Sequence, residues 1–165
     1  MTRTLERIAE VWALVGGALL LAIMLVTSLN VTGFALDRLA RMFGGGVSGL
    51  PGYEDFVSLA IGMAALTFLP LCQARRGHVT VDLFTNALPA AARHALDRLW
   101  LFAITGLALF LAYWMVFGML ETRADNVLSP VLGWRVWPFY LPGIISLLLW
   151  AAIAAGQTMS ADTDG

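Results

Sequence analysis

Two histidines, one cysteine and a handful of carboxylates are the side chains here that could hold a metal or move a proton. His78 lies in the segment Arg75-Arg76-Gly77-His78-Val79-Thr80-Val81-Asp82, and the other histidine, His94, is sixteen residues away. Neither has the cysteine or convergent carboxylate neighbours that would complete a metal site. Cys72 is the sole cysteine, so no disulfide and no Cys-x-x-Cys redox pair can form within one chain, which excludes a quinone-linked thiol oxidase. Haem ligation is unsupported because neither histidine falls in an apolar stretch. No Ser-His, metal or haem constellation presents itself, so the chain is expected to be neither an enzyme nor a cofactor carrier.

The elements that must position these residues follow from composition. Hydrophobic residues make up 59% of the 165-residue chain and charged residues 13%. With a mean hydropathy of +0.79, it lies outside the soluble range. A bilayer core of about 30 Å takes roughly 20 helical residues, and four stretches are long enough. They run from Val11 to Leu36, Phe56 to Ala74, Leu99 to Leu120 and Pro138 to Gln157. The expected fold is therefore an all-α membrane protein, residues 1–165 forming a single domain of four transmembrane helices. Its connections are too short for a soluble catalytic domain.

The first stretch follows Arg3 and Arg7 as a secretory signal would, but its 26 residues exceed the roughly 7 to 15 of a cleavable core. It reads as a retained helix of about 39 Å, longer than the hydrocarbon is thick, so it should tilt or project. Orientation follows from the arginines, there being no lysine. Arg3, Arg7, Arg75, Arg76, Arg93 and Arg98 fall on one side, against Arg38, Arg41, Arg123 and Arg135 on the other. Six against four places both termini in the cytoplasm by the positive-inside rule.

No Asp, Glu, Lys, Arg or His stands near a span centre, where such residues would mark an ion or substrate pathway. Asn30 is the most polar intramembrane group, and its amide is expected to bond to another helix, a substrate contact being the alternative. Ala60 with Ala64, and Ala152 with Gly156, have the small-x-x-x-small spacing that lets helices approach, within the bundle or against another protein. Phe102, Phe110, Tyr113, Trp114 and Phe117 make the third span bulky, turned to lipid or to a partner.

Between the first two spans, Gly44-Gly45-Gly46-Val47-Ser48-Gly49-Leu50-Pro51-Gly52 lacks the Gly-Lys-Ser/Thr of a phosphate cradle and reads as a flexible loop. Glu54 and Asp55 then open the second span, where the positive end of the helix dipole favours carboxylates; either could instead meet a partner. The third connection carries Glu121, Arg123, Asp125 and Arg135. It leads into an interfacial aromatic belt of Trp134, Trp137, Phe139 and Tyr140, with Pro138 in the first helical turn.

At the exit of the second span, Arg75 and Arg76 complement the negative end of the helix and Gly77 suits a left-handed stop. Val79, Val81 and Leu83 could dip an apolar edge into the interface, and Asp82 could cap a following turn. After Pro89, Arg93 with Asp97 and His94 with Arg98 share one solvated face at i, i+4. This stretch reads as a short interfacial helix between the second and third spans, running into the third.

Taken together, these residues resemble the small membrane subunit, DctQ-type, of tripartite ATP-independent periplasmic (TRAP) transporters. The features that match are Glu54 at the start of the second helix, Arg76-Gly77-His78-Val79 with Val81-Asp82 at its exit, and Pro89. Ser129-Pro130, Leu132-Gly133-Trp134, Pro138 and Gly143 follow in the order that the family implies. The resemblance implies a location in the bacterial cytoplasmic (inner) membrane and two partners. One is a large membrane subunit that carries sodium and substrate by an elevator-like motion; the other is an extracytoplasmic binding protein that delivers an organic acid. Sodium is thus expected in the large subunit, the bilayer is the surrounding medium, and no nucleic-acid partner is expected.

By the same resemblance, Glu54, Arg76, Gly77, His78 and Asp82 are the signature positions and candidate partner contacts. Asp55, Glu121, Arg123, Asp125 and Arg135 are candidates for the side facing the binding protein. Three function classes compete: a non-catalytic transporter subunit, which leads; an autonomous small homo-oligomeric transporter or channel, for which Asn30 is a thin basis; and a membrane enzyme.

Overall fold

The computed structural model describes residues 3–46, 49–75 and 89–161. Among the described residues, four helices are long and apolar enough to cross a membrane. The first, α1 (Arg3–Arg41), is 39 residues long and about 58 Å from end to end, so it extends past the apolar run in both directions. Its stop is built from the glycine run. Gly44 takes a left-handed φ of +79°, the Gly45 N–H bonds the Ala40 carbonyl at 2.9 Å and the Gly44 N–H bonds the Arg41 carbonyl at 3.3 Å. This is a Schellman closure, so the start of the segment expected to be flexible is an ordered helix end.

The second span consists of α2 (Tyr53–Thr67) and α3 (Leu69–Ala74). Pro70 explains the break at Phe68: it has no N–H to donate, and its ring excludes a carbonyl one turn back. The third span, α4 (Ala90–Ala124), starts directly after Pro89. Residues Ala90 to Trp100 are its first turns, continuous with the span, so no separate interfacial helix stands there among the described residues. A 3-10 turn, Trp137–Tyr140, with Pro138 in its opening positions, feeds α5 (Leu141–Ala161).

The helices lie in the order α1, α2/α3, α5, α4. Helix α1 packs mainly on the second span, α5 packs on both the second span and α4, and α1 and α4 take the outer positions. Burial agrees, since 44% of the most apolar window of the last span is covered within the chain but only 17% of those of α1 and α4.

Small residues set both seams. Along α4, Ile104, Ala108 and Ala112 recur every fourth position and pack with Leu147, Trp150, Ala151 and Ala154 of α5. Removing side-chain bulk from a seam is what allows two helix backbones to approach in lipid. On the other side of the bundle Gly16 of α1 lies against Thr67 and the Ala64 carbonyl, closely enough that a Cβ at position 16 would overlap Thr67 Oγ1. Ala60 and Ala64 are fully buried, so their small-residue spacing serves the bundle itself. In the last span the small residues Gly143, Ser146, Ala151 and Ala154 are buried, whereas Ala152 is exposed.

Candidate functional site

One end of the bundle gathers the first and third connections around the N-terminus of α2. The third connection closes on itself. The Ser129 N–H bonds the Trp134 carbonyl at 2.8 Å, the Gly133 N–H bonds the Ser129 carbonyl at 3.1 Å, and the Val136 N–H bonds the Val127 carbonyl at 3.1 Å. Ser129 Oγ accepts from the Trp134 N–H at 3.1 Å, and Gly133 supplies the left-handed residue, φ +65°, that the turn needs.

Two consecutive amides at the tip of this turn, Val131 and Leu132, have a partner from elsewhere in the chain. Both donate to Oδ2 of Asp55, each at 2.8 Å. Asp55 lies in the first turn of α2 and is 8% exposed. A carboxylate accepting two backbone N–H groups makes charge-assisted bonds, stronger than the neutral pairs around it.

The Leu132 side chain completes the attachment by lying over Gly52. A Cβ at Gly52, whose φ is +80°, would stand 2.6 Å from Leu132 Cδ2. Around this joint Trp134 and Phe139 stack with centroids 6.2 Å apart, and the Arg123 guanidinium sits 5.1 Å from the Trp137 ring centroid.

The first connection is tied to α1 in a related way. Asn30 is 1% exposed, and its Oδ1 accepts from the Leu50 N–H at 3.0 Å. Its polar partner is therefore a loop amide rather than the other helix that the sequence suggested. Gly49 lies against the same side chain and against the Phe34 ring, where a Cβ would come to 3.0 Å of Asn30 Oδ1.

The opposite end holds a buried amide network. Gln73 Nε2 donates to Gln157 Oε1 at 2.7 Å, Gln157 Nε2 donates to the Gln73 carbonyl at 2.9 Å, and Trp150 Nε1 donates to Gln73 Oε1 at 3.1 Å. Nearby, Trp12 Nε1 donates to Ser146 Oγ at 2.7 Å, joining α1 to α5. An exposed ion pair, Arg75 to Glu10 at 3.1 Å, closes this end. Among the described residues every buried side-chain nitrogen and oxygen has a hydrogen-bond partner.

The expected site residues divide accordingly. Arg76, Gly77, His78 and Asp82 lie outside the described residues, as do Val79, Val81 and Leu83. Glu54 is exposed at the start of α2, where the Tyr53 hydroxyl donates to it at 3.2 Å. Glu121, Arg123, Asp125 and Arg135 are exposed around the third connection. Asp55, grouped with them in the sequence, faces inward and is engaged by this chain's own backbone.

Sequence reasoning passed over Gln73 and Gln157. The signal was present, since each is the single amide in the last turns of an otherwise apolar helix, but nothing in one dimension pairs them. Among the described residues no cluster of three or more His, Cys, Asp or Glu could hold a metal.

Comparison with known families gives one match: the family described as "Tripartite ATP-independent periplasmic transporters, DctQ component" covers residues 31–163. That range includes Asn30's neighbour Val31 through the end of α5, and with it the whole of the joint between α2 and the third connection. No curated protein and no solved structure matches the chain.

Proposed function

Given that the chain belongs to the DctQ-component family of tripartite ATP-independent periplasmic transporters, and so is a small, non-catalytic membrane subunit of such a system, we propose that it acts as a static scaffold. It braces a large, sodium-coupled subunit that moves organic acids and helps to dock the extracytoplasmic binding protein. The termini lie in the cytoplasm, which puts the joint of Asp55 with the third connection on the side where a binding protein arrives.

The observation that supports this reading is the way the polar groups within the membrane are used. Gln73, Gln157 and Trp150 bond one another, and Trp12 bonds Ser146, so these groups join helix to helix. Polar side chains that coordinate a passing ion or solute have to exchange partners as it moves. Groups locked to one another suit a rigid support. The outer faces of α1 and α4 meanwhile leave large apolar side chains such as Leu21, Leu25, Phe110 and Trp114 exposed, a surface for lipid and for the large subunit.

The test is reconstitution in liposomes. The chain by itself should take up no radiolabelled carboxylate in an imposed sodium gradient, whereas co-reconstitution with the large subunit and the binding protein should give sodium-dependent uptake. Uptake by the isolated chain would overturn the scaffold reading and favour an autonomous transporter.

A further inference from the structure

The geometry points to Asp55 as a positioning residue for docking: its carboxylate holds the turn around Val131 and Leu132 in the shape that the binding protein meets, without itself touching that protein. The inference rests on the docking role proposed above.

Three features of the joint carry it. Asp55 is buried, and one oxygen, Oδ2, accepts from both tip amides at 2.8 Å. The turn's internal hydrogen bonds involve Ser129, Gly133 and Trp134, so the tip amides depend on α2 for their partner. The Leu132 side chain fills the space that Gly52 leaves open, which gives the same tip a second, apolar attachment to the same helix end.

What the turn presents outward is different in kind. Val131 is 63% exposed, Trp134 is 43% exposed and Arg135 is exposed. The anchor thus points into the bundle and the recognition groups point away from it.

The energetic reason for such an arrangement is preorganisation. A partner that binds a mobile turn must order it at the moment of binding, and that cost is subtracted from affinity. A turn already bonded to α2 has been ordered during folding. Because Asp55 sits on the span that packs against both α1 and α5, the turn is also set in register with the bundle core.

The experiment uses the two membrane subunits together in nanodiscs and the fluorescently labelled binding protein as the probe. Substituting Asp55→Ala should raise the half-saturating concentration of the binding protein by about ten-fold, the ordering of one or two side chains and their backbone. The yield of the two-subunit complex and the amount of binding protein docked at saturation should not change. Asp55→Asn should dock nearly as the wild type does, because its amide oxygen can accept the same two N–H groups.

Wild-type affinity in Asp55→Ala overturns the inference. So does an equal loss in Asp55→Asn with the Val131 and Leu132 amides exchanging as slowly as in the wild type, which would mean that the charge itself meets the partner. Substituting Val131→Glu and Arg135→Glu separates this from the reading beneath it. If they weaken docking and Asp55→Ala does not, only the positioning role fails; if neither they nor Asp55→Ala alters docking, the docking role fails too. Should Asp55→Ala not assemble, Asp55→Glu keeps the charge but moves it by one methylene. Faster amide exchange at Val131 and Leu132 with unchanged docking in that variant would likewise overturn the inference.

Discussion

Gln73 and Gln157 face each other as a reciprocal pair: the side chain of Gln73 donates to that of Gln157 at 2.7 Å, and Gln157 donates back to the Gln73 carbonyl at 2.9 Å. They are 3% and 4% exposed and come from helices packed side by side, so they fix the level at which α3 meets α5. The carbonyl matters as much as the side chain. Gln73 stands at the end of α3, where carbonyls have no i+4 amide within the helix, so a donor from α5 meets a group that the helix ladder leaves over.

The losses on removing the two side chains should overlap, because they share one hydrogen bond. Gln157→Leu removes the acceptor of Gln73 Nε2 and one donor to the Gln73 carbonyl, and is expected to destabilise the bundle by about 1–2 kcal/mol. The double variant Gln73→Leu with Gln157→Leu should lose less than the sum of the singles. A double-mutant cycle from unfolding in mixed micelles checks both, and additive losses would show that the two amides act independently.

Gly16 is held by sterics rather than by backbone conformation. A methyl at that position overlaps Thr67 Oγ1 and comes to 3.3 Å of the Ala64 carbonyl, while Thr67 itself is tied to Ala64 by a 2.7 Å hydrogen bond. Gly16→Ala should therefore cost about 1–3 kcal/mol by forcing α1 away from α2. Adding Thr67→Ala should restore part of that loss. The measurement is thermal unfolding of the purified chain in detergent, and a neutral Gly16→Ala would contradict the packing described.

Gly52 is constrained twice, by its left-handed φ and by the Leu132 side chain. Gly52→Ala adds a conformational cost of about 1–2 kcal/mol to the clash with Leu132. The readout closest to the structure is hydrogen exchange. The Val131 and Leu132 amides, which donate to Asp55 and should therefore exchange slowly in the wild type, should exchange faster in Gly52→Ala while amides within α5 keep their rates.

Orientation can be tested directly. In a Cys72→Ala background, Asp125→Cys should react with a membrane-impermeant maleimide added outside intact cells with an opened outer membrane. Glu6→Cys should react only after the inner membrane is permeabilised. The reverse pattern would invert the proposed topology.

The four spans could be read from hydropathy because each helix in a bilayer must satisfy its own backbone hydrogen bonds, which makes length and apolarity sufficient signals. Boundaries were less legible. Helix α1 runs on to Arg41, past Leu36, because Asp37 pairs with Arg41 at 2.8 Å one turn away and the closure waits for Gly44. The break at Phe68 was foreshadowed by Pro70. The helix expected after Pro89 does run into the third span, as the first turns of α4, with no break between them; the i, i+4 face of Arg93 and Asp97 is as compatible with a continuing span as with a separate element.

The composition and order of residues alone determined that this is a four-helix membrane protein, and its signature segments already resembled the family whose description matches residues 31–163. Those properties reside in single segments, where local hydropathy and motif spacing carry the information. Which polar group meets which was decided only by the tertiary structure. Asp55 reaches a turn 76 residues away and Gln73 an amide 84 residues away. Such pairings depend on which helix faces come together, and that is set by the close contacts at Gly16, Ala64, Ala108 and Ala154, whose lack of bulk has no direction in a one-dimensional sequence.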